Sequence, residues 1–335
     1  MKKNIVLIGP FPPPIGGVSV HLQRLIHLLD NKVSFAFIDE SRRKKKDIYN
    51  LRSFNLLGYF KIVKKADVVH IHSGPFVLRF FHIVICRLLL KKYTVVTIHF
   101  DPGFGSLMGI TKLLLSFCNH SILVSENGYE RMKTTSACKY HMIPAFLPPD
   151  INRELELPKD VLSWLCQKRQ EGKIICISNA QSIRFYNNQD LYGLDICIEA
   201  FKLLDNDFCL VYVISDSGPN SSIIQEYKKR IENYGLSDKI LIWENALSFI
   251  RLICEAKIVL RTTNTDGDSL TIREALYFNK IVVASDVVNR PDGVLIFKNR
   301  NVEDLALAIK KAKNNNSPKT GNIDYLSLYN DIYEI

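Results

Sequence analysis

None of the eight cysteines lies in a Cys-x-x-Cys pair. Most stand in apolar runs such as HIVICRLL and GKIICIS, where a reduced cysteine packs as a small hydrophobe. This excludes a disulfide scaffold and the paired spacing of a structural zinc site. Long apolar stretches are missing as well. The best candidate, residues 76–90, is interrupted by Arg79 and Arg87, so no membrane-spanning helix is expected. The first apolar run, residues 5–8, is too short for the core of a secretory signal. A cytoplasmic, reducing location follows as the expectation. The sequence also has no Walker loop, no G-x-G-x-x-G fingerprint, no internal repeat and no sizeable low-complexity tract. Histidine is absent after His141.

What is present is an ordinary globular composition over 335 residues, 47% hydrophobic and 23% charged, enough for about two domains. The net charge of +10 is unevenly spread. Residues 1–155 hold 22 Lys+Arg against 10 Asp+Glu, while residues 156–335 hold 22 against 24. A basic first half calls for an acidic partner: nucleic acid, an anionic membrane surface or a phosphorylated ligand.

Short apolar runs alternate with helical patterns. Strands are expected at NIVLIGP, 33–38, 68–71, 94–98 and 121–124, with helices at 18–29 and 126–134. Pro144, Pro148, Pro149 and Pro158 interrupt the pattern and suggest a linker over 148–164. The alternation restarts with strands at 173–177, 209–214, 239–243, 256–260 and 281–284. Helices are expected at 194–204, 222–234, 270–278 and 302–313, with a final one at 323–335. The fold class is therefore α/β: two facing Rossmann-like, doubly wound parallel-sheet domains with a cleft between them, over 1–147 and 165–322.

Four segments carry chemistry. Gly16 and Gly17 close the loop GPFPPPIGGV before a helix, where backbone N–H groups can approach a phosphate; a plain strand-to-helix turn reads equally well. His70 and His72 alternate in one strand, and His99 ends another, at the edge where a ligand binds a parallel sheet. Carboxylate partners for a metal are too few there. In RTTNTDGDSLTIREA, Asp266 and Glu274 are eight apart, one in a loop and one in a helix that Ser269 caps or opens. They can hold two hydroxyl-bearing parts of one ligand, with the N–H groups of Gly267, Asp268, Ser269 and Leu270 facing a diphosphate between them; a capped helix beside a solvated acidic loop is the plainer reading. Last, the basic run Arg42, Arg43, Lys44, Lys45 and Lys46 precedes a basic amphipathic helix over 51–65, suited to an anionic bilayer or simply to solvent. No nucleic-acid-binding module presents these charges, so a nucleic-acid partner is not expected.

Across nearly the whole chain these segments resemble the GT-B-fold family 4 (group 1) glycosyltransferases of bacterial surface-polysaccharide biosynthesis. GPFPPPIGGVSVHL is similar to that family's glycine loop, and DVVHIHS, VVTIHF and SILVSE stand in its order. IPAFLPP lies at its domain crossing, DGDSLTIREALYFNKIVVASDV resembles its E-x7-E donor motif, and NRNVEDLALAI its final second-domain helix. The tail resembles the helix that crosses back to the first domain.

The resemblance implies an acceptor-side domain over 1–147 and a nucleotide-sugar domain over 165–322. It puts Gly16 and Gly17 beside donor phosphates and acceptor, and gives His99 and Asp266 contacts to the transferred sugar. Gly267 to Leu270 would line sugar and diphosphate, and Glu274 would hold the ribose. Three departures stand out: Asp266 replaces a Glu, Tyr192-Gly193 stands for Lys-Gly, and Ser178-Asn179-Ala180 lacks the expected Arg. Arg184 or Arg261 can substitute at the diphosphate.

The expected activity is retaining transfer of a sugar from a nucleotide-sugar donor to a lipid-linked glycan, at the inner face of the cell membrane, with no cofactor. Asp266-Gly267-Asp268 is a metal motif by letters only, so no metal is expected. Two rivals share the scaffold: a nucleotide-sugar epimerase or hydrolase, and a non-catalytic scaffold subunit.

Overall fold

The computed structural model describes residues 2–12, 16–42, 44–99, 107–218, 220–316 and 323–335. The chain divides into two compact units, one of Met1–Leu147 with Ile323–Ile335 and one of Pro148–Asn322.

The first unit runs β1 (Asn4–Gly9), α1 (Gly17–Leu29), β2 (Ser34–Asp39), the short β3 (Tyr49–Asn50) and α2 (Leu56–Lys64). It continues through β4 (Val68–Ile71), α3 (Phe76–Ile83), β5 (Tyr93–Ile98), α4 (Met108–Phe117), β6 (His120–Leu123), α5 (Glu126–Met132) and β7 (Lys139–Met142). The seven strands form one parallel sheet in the order β3-β2-β1-β4-β5-β6-β7. Successive side chains leave opposite faces of a strand, and both faces here are covered. Val6, Ile8, Val69, Ile71, Val96 and Ile98 meet Tyr59, Val63, Cys86 and Leu115. Ile5, Leu7, Val68, Val95 and Ile122 meet Leu22, Leu25 and Leu29 of α1, together with Tyr329, Ile332 and Tyr333 of the C-terminal helix Tyr325–Tyr333. Two-sided burial explains why the strands read as continuous apolar runs. Each fully buried Leu or Ile contributes about 1.5–3 kcal/mol.

The second unit runs α6 (Lys159–Gln170), β8 (Ile174–Ala180), a hairpin of β9 (Phe185–Tyr186) and β10 (Gln189–Asp190), α7 (Leu194–Leu203), β11 (Phe208–Ile214), α8 (Ser221–Asn233) and β12 (Ile240–Trp243). It ends with α9 (Phe249–Glu255), β13 (Ile258–Arg261), α10 (Leu270–Tyr277), β14 (Ile281–Ser285), β15 (Val294–Phe297) and α11 (Val302–Asn314). Its six-stranded parallel sheet has the order β12-β11-β8-β13-β14-β15. In both sheets the order reverses direction at the first strand, between β1 and β4 and between β8 and β13. Ligands of such sheets bind outside the strands' carboxyl ends at that reversal.

Several expectations are corrected. Residues 148–164 are not a linker: Leu157 and Val161 pack with Leu165 in the second unit's core. Pro158 caps α6 instead of breaking the chain, since a proline there gives up no intrahelical bond. The basic helix expected over 51–65 is broken at Phe54, whose φ of 54° is left-handed; α2 starts only at Leu56, where Asn55 Oδ1 accepts from Gly58 N at 3.0 Å. Lys45 does not face solvent with its neighbours: its Nζ donates to Asp39 Oδ2 at 2.6 Å and to Ser41 Oγ at 2.6 Å. Arg42, Lys44 and Lys46 are exposed. Arg43 lies outside the described residues.

Candidate functional site

In the second unit, β13 delivers Arg261 to the sheet's carboxyl edge, and the following loop carries Asp266. Arg261 Nε donates to Asp266 Oδ2 at 3.0 Å and Nη2 to Oδ1 at 2.8 Å. A second arginine, Arg290, closes on the same carboxylate, Nη1 to Oδ2 at 2.8 Å. Arg290 is itself fixed by Ser285, donating to its O at 3.0 Å and its Oγ at 3.2 Å. Burial alone would raise the Asp266 carboxyl; the two guanidiniums outweigh it and hold it below the ordinary carboxylate value. Two cations on one anion leave a net positive charge beside the start of α10.

That start has the features that suit an anion. Ser269 is the N-cap of α10 but its hydroxyl makes no capping bond, and its Oγ is buried without a partner among the described residues. The first-turn N–H groups have no intrahelical acceptor. Asn179 Oδ1 on β8, Thr263 Oγ1 and Asn264 Oδ1 are also buried and unpaired among the described residues. Buried polar atoms are nearly always paired, so four near the carboxyl end of β8, in the loop after β13 and at the start of α10 make this a candidate place for a polar ligand. Glu274 is buried within α10. Asp268 takes Arg273 Nε on both oxygens, at 2.7 and 2.9 Å.

Of the expected diphosphate cations, Arg261 is engaged by Asp266, whereas Arg184 is exposed and donates to Ser182 Oγ at 3.2 Å. Gly193 caps α7 at a φ of 73°, and a Cβ there would stand 2.3 Å from Thr262 O. Tyr192 occupies the preceding position, its ring 5.7 Å from the Arg261 guanidinium carbon and its carbonyl accepting from Thr262 Oγ1 at 2.7 Å.

In the first unit, Gly16 and Gly17 open α1 and are exposed. A Cβ at either would meet nothing within 4 Å, so packing inside the chain does not demand glycine there. Asp39, at the end of β2, ties the preceding loop down by accepting from Phe11 N at 3.2 Å. Four histidines gather near the reversal between β1 and β4: His70 and His72 from β4 and its end, His99 after β5, and His21 from α1. His72 Nδ1 lies 2.9 Å from His99 Nε2. His70 is fully paired, Nδ1 with the Tyr333 hydroxyl at 2.5 Å and Nε2 with the Thr97 hydroxyl at 2.8 Å. Burial, then the neighbouring imidazoles, push His70, His72 and His99 well below the ordinary value. Burial lowers His21 to about 4, despite its bond to Ala145 O and helped by Arg24. All four are neutral at neutral pH, so His99 can offer a hydrogen bond but not a positive charge.

The structure thus collects Asp266, Gly267, Asp268, Ser269, Leu270, Glu274 and Arg261 around one loop and helix start, and His99 with His21, His70 and His72. Sequence reasoning missed Arg290 and His21. Arg290 had one legible sign, its place after a buried parallel strand; His21 sat unmarked in a helical pattern.

Residues 185–325 match the family of group 1 glycosyl transferases. No curated protein matches the sequence. Among solved structures, a glycosyltransferase from Rickettsia africae superposes with a TM-score of 0.63 at 18% identity, covering 93% of this chain and 88% of that one. Anabaena Alr3699/HepE, solved with UDP and glucose, gives 0.58 at 14% identity, with coverage of 93% and 90%. The lipopolysaccharide outer core galactosyltransferase WaaB gives 0.59 at 11% identity and 98% of each chain. The two parallel-sheet units are those of the GT-B fold. On the domain matched at residues 185–325 the chain is a glycosyltransferase, built on that fold.

Proposed function

We propose that the chain is a retaining, family 4-type transferase that moves a sugar from a nucleotide-sugar donor to a lipid-linked glycan in surface-polysaccharide assembly, working peripherally on the inner face of the cell membrane. The observation that carries this reading is the polar cradle of the second unit. Four buried, unpaired polar atoms border an uncapped helix start and a net-positive Arg261–Asp266–Arg290 group. A diphosphate suits the helix start and the positive charge, and sugar and ribose hydroxyls suit the unpaired oxygens and Glu274. The solved relative bound to UDP-glucose supports a uridine nucleotide as the first donor to try.

In the step itself, the bond from the sugar's anomeric carbon to the diphosphate oxygen breaks. A new bond to an acceptor hydroxyl oxygen forms on the same face, and the hydroxyl proton passes to the leaving phosphate. Arg261, Arg290 and the helix start stabilise the charge that grows on the diphosphate, and His99 hydrogen-bonds the sugar. No metal is needed at the donor motif, because both carboxylates of Asp266-Gly267-Asp268 are already held by arginines. The acceptor side supplies the membrane contact. Phe54 and Leu57 are more than four-fifths exposed, and Ile110, Leu113 and Phe117 form an exposed stripe on α4. No helix among the described residues is long and apolar enough to cross a membrane.

A panel of nucleotide sugars incubated with a membrane lipid extract tests the reading, with products read by mass spectrometry. One donor should add one sugar mass to a lipid-linked glycan, with the anomeric configuration kept. Donor consumption without any acceptor would instead mark an epimerase or hydrolase. Absence of both donor binding and turnover would mark a scaffold subunit.

A further inference from the structure

We propose that His21, His72 and His99 form a binding site for one borderline transition cation, of the zinc class. One ring nitrogen from each of the three lies within 4.8 Å of the others. Their ring centroids form a near-equilateral triangle, 5.3 Å for His21–His72, 4.8 Å for His21–His99 and 5.2 Å for His72–His99. Three imidazoles on one tetrahedral zinc, with Zn–N of roughly 2.0–2.1 Å, place their centroids about 5 Å apart. The spacing is that of a ligand triad.

The hydrogen bonds agree with the spacing in part: His72 Nδ1 and His99 Nε2 lie 2.9 Å apart and share one proton, which a cation held by both of these nitrogens displaces. His21 Nδ1 sits 2.7 Å from Ala145 O, and a carbonyl only accepts, so Nδ1 carries the proton and Nε2 keeps a lone pair. Backbone anchoring of the other nitrogen is the usual support for a metal-binding histidine. The nearest partner of that Nε2 is the Tyr329 hydroxyl at 3.5 Å, a long contact. His72 Nε2 is buried with no partner among the described residues. The neighbouring His70 provides the contrast: both its nitrogens are paired at ordinary distances, and it is not part of the triad.

The donor set selects the ion. Among the described residues it is all imidazole, which suits zinc, nickel or copper and not magnesium, calcium or manganese. His21 and His72 are buried and His99 is partly exposed. A cation there takes one ring nitrogen of His99 and leaves the other N–H to donate. The site belongs to the first unit and uses none of the arginine-held carboxylates, and its existence does not depend on which transfer the chain performs.

The test reads binding, not turnover. Chelator-dialysed full-length protein is titrated with Zn²⁺ and with Mg²⁺ by calorimetry, and with Co²⁺ by visible absorption. The wild type should bind one Zn²⁺ and no Mg²⁺, and its Co²⁺ spectrum should show tetrahedral nitrogen–oxygen bands without a thiolate charge-transfer band. His21→Asn, His72→Asn and His99→Asn should each weaken Zn²⁺ binding by more than about tenfold, while His27→Gln and Cys166→Ser should leave it unchanged. No saturable Zn²⁺ binding by the wild type, a thiolate band, or unaltered affinity in the three folded variants overturns the proposal. Where a variant loses its circular dichroism, the wild-type Co²⁺ spectrum decides.

Discussion

Arg290 reaches Asp266 across 24 positions of sequence, its Nη1 donating to Oδ2 at 2.8 Å. The bond joins the loop after β14 to the loop after β13, and both side chains are nearly excluded from solvent. Removing the cation leaves Asp266 with Arg261 alone and takes one partner from Ser285 O and from Ser285 Oγ, which keeps its bond to Thr263 O at 2.6 Å. Arg290→Met is therefore expected to cost roughly 1–3 kcal/mol. Urea unfolding should show a lower midpoint at unchanged slope. An unchanged midpoint would show the pair contributes nothing to the fold.

Arg184 and Arg261 separate stability from catalysis. Arg184 is exposed, and its one described side-chain bond is to Ser182, so Arg184→Gln should leave the melting temperature within about a degree, as surface changes do. Arg261→Gln removes a bidentate bond to a buried carboxylate and should lower stability and kcat together. Replacing both should cut turnover with any accepted donor by about a hundredfold, the scale of losing a charge-stabilising group. Full turnover in the double variant would assign diphosphate stabilisation elsewhere.

Much of this was readable before the structure. The strand–helix alternation was visible because both sheets are covered on two faces, so β1 and β11 are nearly continuous apolar runs and β4, β5, β8 and β13 are mostly apolar. The donor loop was visible because its parts are contiguous from Arg261 to Glu274. What was hidden depends on distance in sequence or on local exceptions. Arg290 and His21 join their sites only through folding. α6 was obscured by Pro158 and by Lys168, a fully buried cation whose Nζ donates to Asp238 Oδ1 at 2.5 Å and Glu171 Oε2 at 3.0 Å. Lys45 looked like part of a solvated basic run because nothing in the run announces its bond to Asp39.

Gly193 tests the backbone at the site. Its left-handed φ and the 2.3 Å approach of a Cβ to Thr262 O make Gly193→Ala doubly unfavourable. Strain of that kind costs on the order of 1–3 kcal/mol. A melting temperature several degrees lower is expected by calorimetry, and donor affinity should fall with it, since Thr262 precedes the unpaired Thr263 Oγ1 and Asn264 Oδ1. Gly172→Ala, also left-handed but with open space around its Cβ, should cost less.

His120 sets an acid limit on the fold. Burial, then His141 and Lys139, lower it to about 4, against the opposing pull of Glu334. The native state therefore binds fewer protons than the unfolded chain between about pH 6.5 and pH 4. The stabilisation is complete above the unfolded value and is lost as pH falls through that window. Allowing for solvent screening, stability should drop by on the order of 1 kcal/mol from pH 7 to pH 5 on this account. Urea midpoints at the two pH values measure it, and His120→Asn should remove only its own share of the difference, since burial lowers His21, His70, His72 and His99 as well.

Membrane attachment, as proposed, has two separable parts. The apolar part is the exposed stripe Ile110, Leu113 and Phe117 on α4, with Leu57 on α2; the electrostatic part is Arg42, Lys44 and Lys46. Leu113→Ser with Phe117→Ser should weaken sedimentation with anionic vesicles at every salt concentration, because buried apolar area is insensitive to screening. Neutralising Arg42, Lys44 and Lys46 should weaken it only at low salt and mimic added salt in the parent, each charge near the surface being worth about 1 kcal/mol. Lys45 is left out of the set because its partner is Asp39: Lys45→Met should lower stability instead, by stripping a buried carboxylate of its cation. Equal vesicle binding by all of these variants would remove the bilayer from the function of this face.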